Sequence, residues 1–132
     1  MTAGFGQFAK THREFFQALG DDGWREVPGY AGVSEKVLSG AFDHQARTGA
    51  VTRLSRWAAG AAVAEPVSHA WCEEVYLISG DLRIGTPGNE VEELCAGTYA
   101  VRPPGVPHGP FFSRGGCLMI EFLYYPPAGG EA

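Results

Sequence analysis

Gly97-Thr98-Tyr99-Ala100-Val101-Arg102-Pro103-Pro104-Gly105-Val106-Pro107-His108 is the stretch on which the reading of this sequence turns. It starts as a short β-type run, Tyr99–Arg102, and stops at two prolines. Proline cannot donate to a strand ladder, and Pro-Pro-Gly forces a sharp bend. His108 follows just past that bend, with Pro107 on one side and Gly109-Pro110 on the other. Such a frame stiffens the loop and lowers the entropy lost in placing one imidazole.

Upstream lies a second informative stretch, Val67-Ser68-His69-Ala70-Trp71-Cys72-Glu73-Glu74-Val75-Tyr76-Leu77-Ile78-Ser79-Gly80. Imidazole and carboxylate are natural ligands of first-row metals. On a straight strand, residues four apart are separated by about 13 Å, whereas the ligand atoms of one metal each lie ~2.0–2.2 Å from it. His69 and Glu73 can share an ion only if the chain reverses through Ala70-Trp71-Cys72. That segment contains none of the usual turn residues. Beyond it Glu73, Val75 and Leu77 alternate to one face, a carboxylate at a strand mouth with apolar packing behind it.

Away from these stretches the text is mostly β. Apolar or β-branched runs occur at Val33–Leu38, Val51–Trp57, Glu73–Ile78, Leu82–Ile84, Tyr99–Arg102 and Cys117–Tyr125. Turn chemistry separates them, including Ser39-Gly40, Thr48-Gly49, Ser79-Gly80, Thr86-Pro87-Gly88-Asn89 and Arg114-Gly115-Gly116. Many short strands at this spacing predict a sandwich or barrel. Leu118–Leu123 is apolar on both faces apart from Glu121, which predicts a strand buried on both sides, inside the fold or against another subunit. One helix is expected near the start. Thr11 and Glu14 form a capping-box pattern, Phe15, Phe16 and Leu19 fall on one side, and Gly20 ends the run.

The chain of 132 residues is long enough for one domain with a real core. Its formal charge of −5 and thinly spread Lys and Arg argue against nucleic-acid binding. No apolar run reaches a membrane span, and no secretion signal is visible, so the expectation is a cytoplasmic protein. Three cysteines, Cys72, Cys95 and Cys117, without CxxC spacing are expected to be free thiols.

With both stretches in view, the chain resembles the cupin family. The second cupin motif, G-x5-P-x-G-x2-H-x3-N, is matched by Gly97, Pro103, Gly105 and His108, with Phe112 in place of its Asn. The first motif, G-x5-H-x-H-x3,4-E-x6-G, is matched by His69, Glu73 and Gly80. Val67 stands where its first His is expected, and Gly60 is one residue too far upstream for its opening Gly. Glu74 fits the looser spacing, but only Glu73 leaves six residues before Gly80. The wording around the motifs is similar to small single-domain cupins such as the ChrR-type sensor domain and the acetylacetone-cleaving dioxygenase group.

The resemblance implies an all-β fold, a cupin double-stranded β-helix or RmlC-like jelly-roll barrel. Its motifs cover about residues 50–125, with the helix and extra strands in 1–49 completing one domain over 1–132. In cupins the first motif straddles a turn between two strands, which would bring His69 and Glu73 together. It implies one divalent metal ion held by His69, Glu73 and His108. Fe is the expectation, with Mn, Ni, Co and Zn open, and Glu73 and His108 are also the expected catalytic residues. Two imidazoles and one carboxylate are what non-haem Fe(II) oxygenases use. The expected function is therefore a dioxygenase-type oxidoreductase acting on a small carbonyl or aromatic compound, as a homodimer. A ligand- or metal-sensing cupin, a cupin isomerase, lyase or polyketide cyclase, and a metal-free cupin are the alternatives. Trp71 is read as packing or turn cover, and Tyr99, Phe111 and Phe112 as barrel lining or core. Arg53 and Arg56 are read as solvated strand residues, although one facing inward would suit an anionic substrate.

Overall fold

The computed structural model describes residues 4–127. Nine strands follow in order: β1 Trp24–Glu26, β2 Val33–Asp43, β3 Thr48–Trp57, β4 Ala62–Val63, β5 Cys72–Thr86, β6 Asn89–Cys95, β7 Tyr99–Arg102, β8 Phe111–Phe112 and β9 Cys117–Tyr124. Every pairing between them is antiparallel. The hydrogen-bonded order is β1-β2-β3-β9-β5-β8-β4, with β6 and β7 also paired to β5.

The long strand β5 organises the barrel. Its first half pairs with β7 and β9, and its second half with β6 and β8. The two halves meet at an irregularity between Leu77 and Ser79. Here Gly80 has φ +86°, and a Cβ on it would lie 2.1 Å from the Gly116 carbonyl oxygen. The sequence reads Ser79-Gly80 as a turn; it is a bulge inside one continuous strand. Ser39-Gly40 is the same device in β2, where the register with β3 shifts between Val37 and Ser39. A bulge uses the left-handed glycine of a turn but bends the strand without reversing it, so the sheet curls around its core.

Val33, Trp57, Ala61, Val63, Leu77, Leu82, Cys117 and Met119 form that core. Strand β9 lies centrally between β3 and β5. Met119, Glu121 and Leu123 are buried, while Phe122 on the opposite face is 41% exposed, so the barrel itself covers only one face of the strand. All three cysteines are free. No helix among the described residues is long and apolar enough to cross a membrane.

The expected N-terminal helix does not form. The only helical turn among the described residues is a 3-10 turn at Gly6–Phe8, and Phe15 is fully exposed. A helix this short gains little without a face to bury, and the segment spends its polar groups otherwise. Glu14 pairs with His12 at 2.5 Å, and Lys10 donates to Thr52 at 2.7 Å. The Gly20 carbonyl, which a helix end would leave to a C-cap, accepts from Trp24 Nε1 at 2.9 Å and Lys36 Nζ at 3.1 Å. The stretch is thus tied to the sheet at both ends.

Candidate metal centre

Three backbone hydrogen bonds bring the two motif segments together. Val67 and His108 exchange a reciprocal pair, at 2.9 Å and 2.8 Å, and the Gly105 amide donates to the His69 carbonyl at 2.8 Å. The chain then bends at Ala70-Trp71 and enters β5. The reversal comes without turn residues because this cross-loop ladder holds its entry and Trp71 packs its inner side. The Trp71 ring stacks on the His69 imidazole, with centroids 4.8 Å apart and planes within 8°.

The result is a tight set of three heads. His69 Nε2 lies 3.7 Å from Glu73 Oε2, and His108 Nε2 lies 3.3 Å from the same oxygen. All three ligand atoms fall within 4.8 Å of one another. Atoms that each lie ~2 Å from one ion are separated by roughly 3–4 Å, so the spacing suits a shared metal. The His108 Nδ1–H donates to the Val106 carbonyl at 3.3 Å, which turns Nε2 toward Glu73. Glu73 is 6% exposed, and its Oε2 is buried without a hydrogen-bond partner. A buried carboxylate oxygen left unmatched is costly, and a cation between it and two imidazoles removes that cost. The donor set and the orphaned oxygen fit a divalent ion. Glu74 faces the other way, accepting from Tyr99 at 2.5 Å and Tyr124 at 2.9 Å, so of the two adjacent glutamates only Glu73 enters the cavity.

Protonation at the two histidines favours ligation. Burial pushes both His69 and His108 below the ordinary histidine value, so they are neutral with a lone pair free. Burial, reinforced by nearby Glu121, pushes Glu73 up to about 6, against the pull of Arg102 and Arg53.

Behind the three heads is a cavity of about 180 Å³. Val67, Val75, Leu77, Leu82 and Met119 give it apolar walls, with Val67 occupying the place of the motif's first His. Four charged residues that the sequence reading did not assign to the site also line it: Glu35, Arg53, Arg102 and Glu121. The reading of Arg53 as solvated is wrong. Its Nε donates to Glu121 Oε1 at 2.6 Å, and its Nη2 lies 3.1 Å from Glu35 Oε2. Glu121 was the available signal. A single carboxylate in an apolar strand demands a cation opposite, and Arg53 is its direct cross-strand partner. Arg102 is likewise opposite Glu73, with Nη1 3.8 Å from Oε1. Of the expected aromatic lining, Phe112 is buried and Phe111 packs on the core, but Tyr99 is half exposed. His44 has a structural role, bonded to the Tyr125 hydroxyl at 2.7 Å.

No curated protein matches this chain. Among solved structures, an RmlC-like cupin from Shewanella frigidimarina superposes with a TM-score of 0.63 at 20% identity, over 92% of this chain and 97% of that one. The acetylacetone dioxygenase of Acinetobacter johnsonii gives 0.61 at 18% identity, over 98% and 89%. The anti-sigma factor ChrR of Rhodobacter sphaeroides, solved in complex with SigE, gives 0.54 at 24% identity, over 75% of this chain and 46% of that one. These likenesses establish the fold. The sequence model of the ChrR cupin-like domain matches residues 12–125, a span that takes in the ladder, the bend and all three heads, and the chain belongs to that family.

Proposed function

We propose that this protein is a metal-dependent cupin enzyme that binds one divalent ion, Fe(II) in the first instance, and oxidises a small carbonyl compound in a dioxygenase-type reaction. One observation carries the reading: the orphaned Glu73 Oε2 faces two neutral imidazoles at the head of an apolar cavity. The structural likeness to an acetylacetone dioxygenase is consistent with it.

His69, Glu73 and His108 would hold the ion, which supplies Lewis acidity and open coordination positions for substrate and O₂. The protein's own residues do the rest. Glu73 brings the one negative charge of the ligand set, while the imidazoles, held neutral by burial, bring none. Trp71 and the Val106 carbonyl fix the planes of His69 and His108. Val67 leaves the fourth place apolar and open to substrate. Val75, Leu77 and Met119 exclude water from the reacting end and accommodate a compact carbon skeleton.

The test is metal analysis combined with O₂ uptake in the presence of acetylacetone and related β-dicarbonyls. About one ion per chain and substrate-dependent O₂ consumption are expected, both lost in a His69→Ala/His108→Ala variant. Metal without O₂ consumption would overturn the dioxygenase reading. It would favour a second reading, a barrel that binds its ligand and reports it to a partner, for which the likeness to the anti-sigma factor ChrR, solved with SigE, is the precedent.

A further inference from the structure

The cavity contains two guanidinium groups in different situations. Arg53 is committed, bonded to Glu121 and paired with Glu35. Arg102 makes no side-chain hydrogen bond among the described residues; its one ion pair there is the 3.8 Å approach to Glu73 Oε1, too long for a hydrogen bond. Its register opposite Glu73 places both side chains on the inner face of the sheet, and its side chain is 20% exposed, in the cavity wall. A guanidinium offers a fixed fork of donors that matches a carboxylate bidentately. Here that fork has room and no acceptor.

Charge balance points the same way. The cavity wall sets Arg53 and Arg102 against Glu35, Glu73 and Glu121, formally one negative charge in excess. A divalent ion at the metal centre reverses this to one positive charge in excess, in an apolar setting where unbalanced charge is costly. A monoanionic substrate cancels it.

We infer that Arg102 anchors the carboxylate of the substrate, and that the substrate class is a compact carbonyl compound carrying one carboxylate within a few bonds of the carbonyl. The inference rests on the metal centre proposed above. The short span from the Arg102 guanidinium to Glu73 sets the separation between the two ends of the molecule, and the small cavity limits its bulk.

The test uses two probes that differ in charge and little else, acetoacetate and its methyl ester. Each is titrated calorimetrically under nitrogen into Fe(II)-loaded protein whose metal content is measured on the same sample. Acetoacetate should bind at least about tenfold more tightly than the ester. Arg102→Gln should bring the two affinities together with metal content unchanged, and Arg102→Lys should keep part of the preference. Equal affinities in the wild type, no binding of either probe, or a preference that survives in Arg102→Gln would overturn the inference while leaving the metal centre standing. Loss of metal in Arg102→Gln would also overturn it, marking the arginine as a counter-ion that holds Glu73. A wild-type protein that takes up no metal would instead overturn the metal centre, and this inference with it.

Discussion

Glu73 and Asp81 are carboxylates on the same strand, β5, each beside an arginine, and they have opposite fates. Asp81 is satisfied. It accepts from Arg83 Nε at 3.0 Å and from the amides of Arg114 and Gly115 at 3.0 Å and 2.8 Å. Partial burial pushes Asp81 up, but those amides and Arg83 outweigh it and hold the group below the ordinary aspartate value. Arg83 is satisfied too, donating onward to Glu90 and Glu93. This cluster fixes the turn into β9 and has no capacity left for a ligand. At the start of the strand Glu73 has a buried oxygen with no donor, and Arg102 has donors with no acceptor. Similar chemical groups thus build a staple in one half of β5 and a receptive site in the other. The difference is whether the protein itself completes the hydrogen bonds.

Breaking each cluster should therefore have separable consequences. The largest is expected from His69→Ala/His108→Ala, which should take metal content from about one ion per chain to background by elemental analysis, with the fold retained by circular dichroism. Next, Asp81→Ala removes the acceptor of two amides and of the Arg83 Nε, which keeps Glu90 and Glu93 on its other donors. It should lower stability by about 1–3 kcal/mol in denaturant unfolding and leave metal content untouched. Loss of metal in that variant would mean that the two halves of β5 are not independent.

The folded value of Glu73 is raised, to about 6 from 4.5. Such a carboxyl contributes stability that is full below 4.5 and is lost as pH rises through about 6. In chelator-treated protein, Glu73→Gln should therefore gain on the wild type by about 2 kcal/mol between pH 4 and pH 7.5. A gap that does not change with pH would contradict the burial assigned to Glu73. The smallest effect is expected at the stacking partner of His69. Trp71→Ala should weaken metal binding by about tenfold in chelator competition, and Trp71→Phe should restore most of it.

Much of this was legible in the sequence, and the reasons are specific. The Pro103-Pro104-Gly105 stop located the end of β7 and the position of His108, because proline and glycine act locally. Tyr99–Arg102 was read with its observed limits for the same reason. Glu73 was separable from Glu74 by the distance to Gly80, a glycine that is required because backbone approaches it closely. What the sequence concealed depends on partners distant in the chain. The Ala70–Cys72 reversal has no local turn signal, since hydrogen bonds to the His108 loop hold it. Strand β6 was missed because its Glu-rich surface lies exposed at an edge and lacks an apolar alternation. Local sequence marks Arg53 as a surface residue, and only pairing with β9 sets it against Glu121. The helix was over-read because Thr11, Glu14 and Gly20 carry local helix signals, while the Gly20 carbonyl is claimed by Trp24 and Lys36.

The measurement that bears most directly on the account is an anomalous-difference map from crystals of the protein grown without chelator, collected on both sides of the iron edge. A single peak is expected within coordination distance of His69 Nε2, His108 Nε2 and a Glu73 carboxylate oxygen. Crystals in which the iron signal lies elsewhere, or in which Glu73 is bonded to a protein donor with no ion beside it, would contradict it.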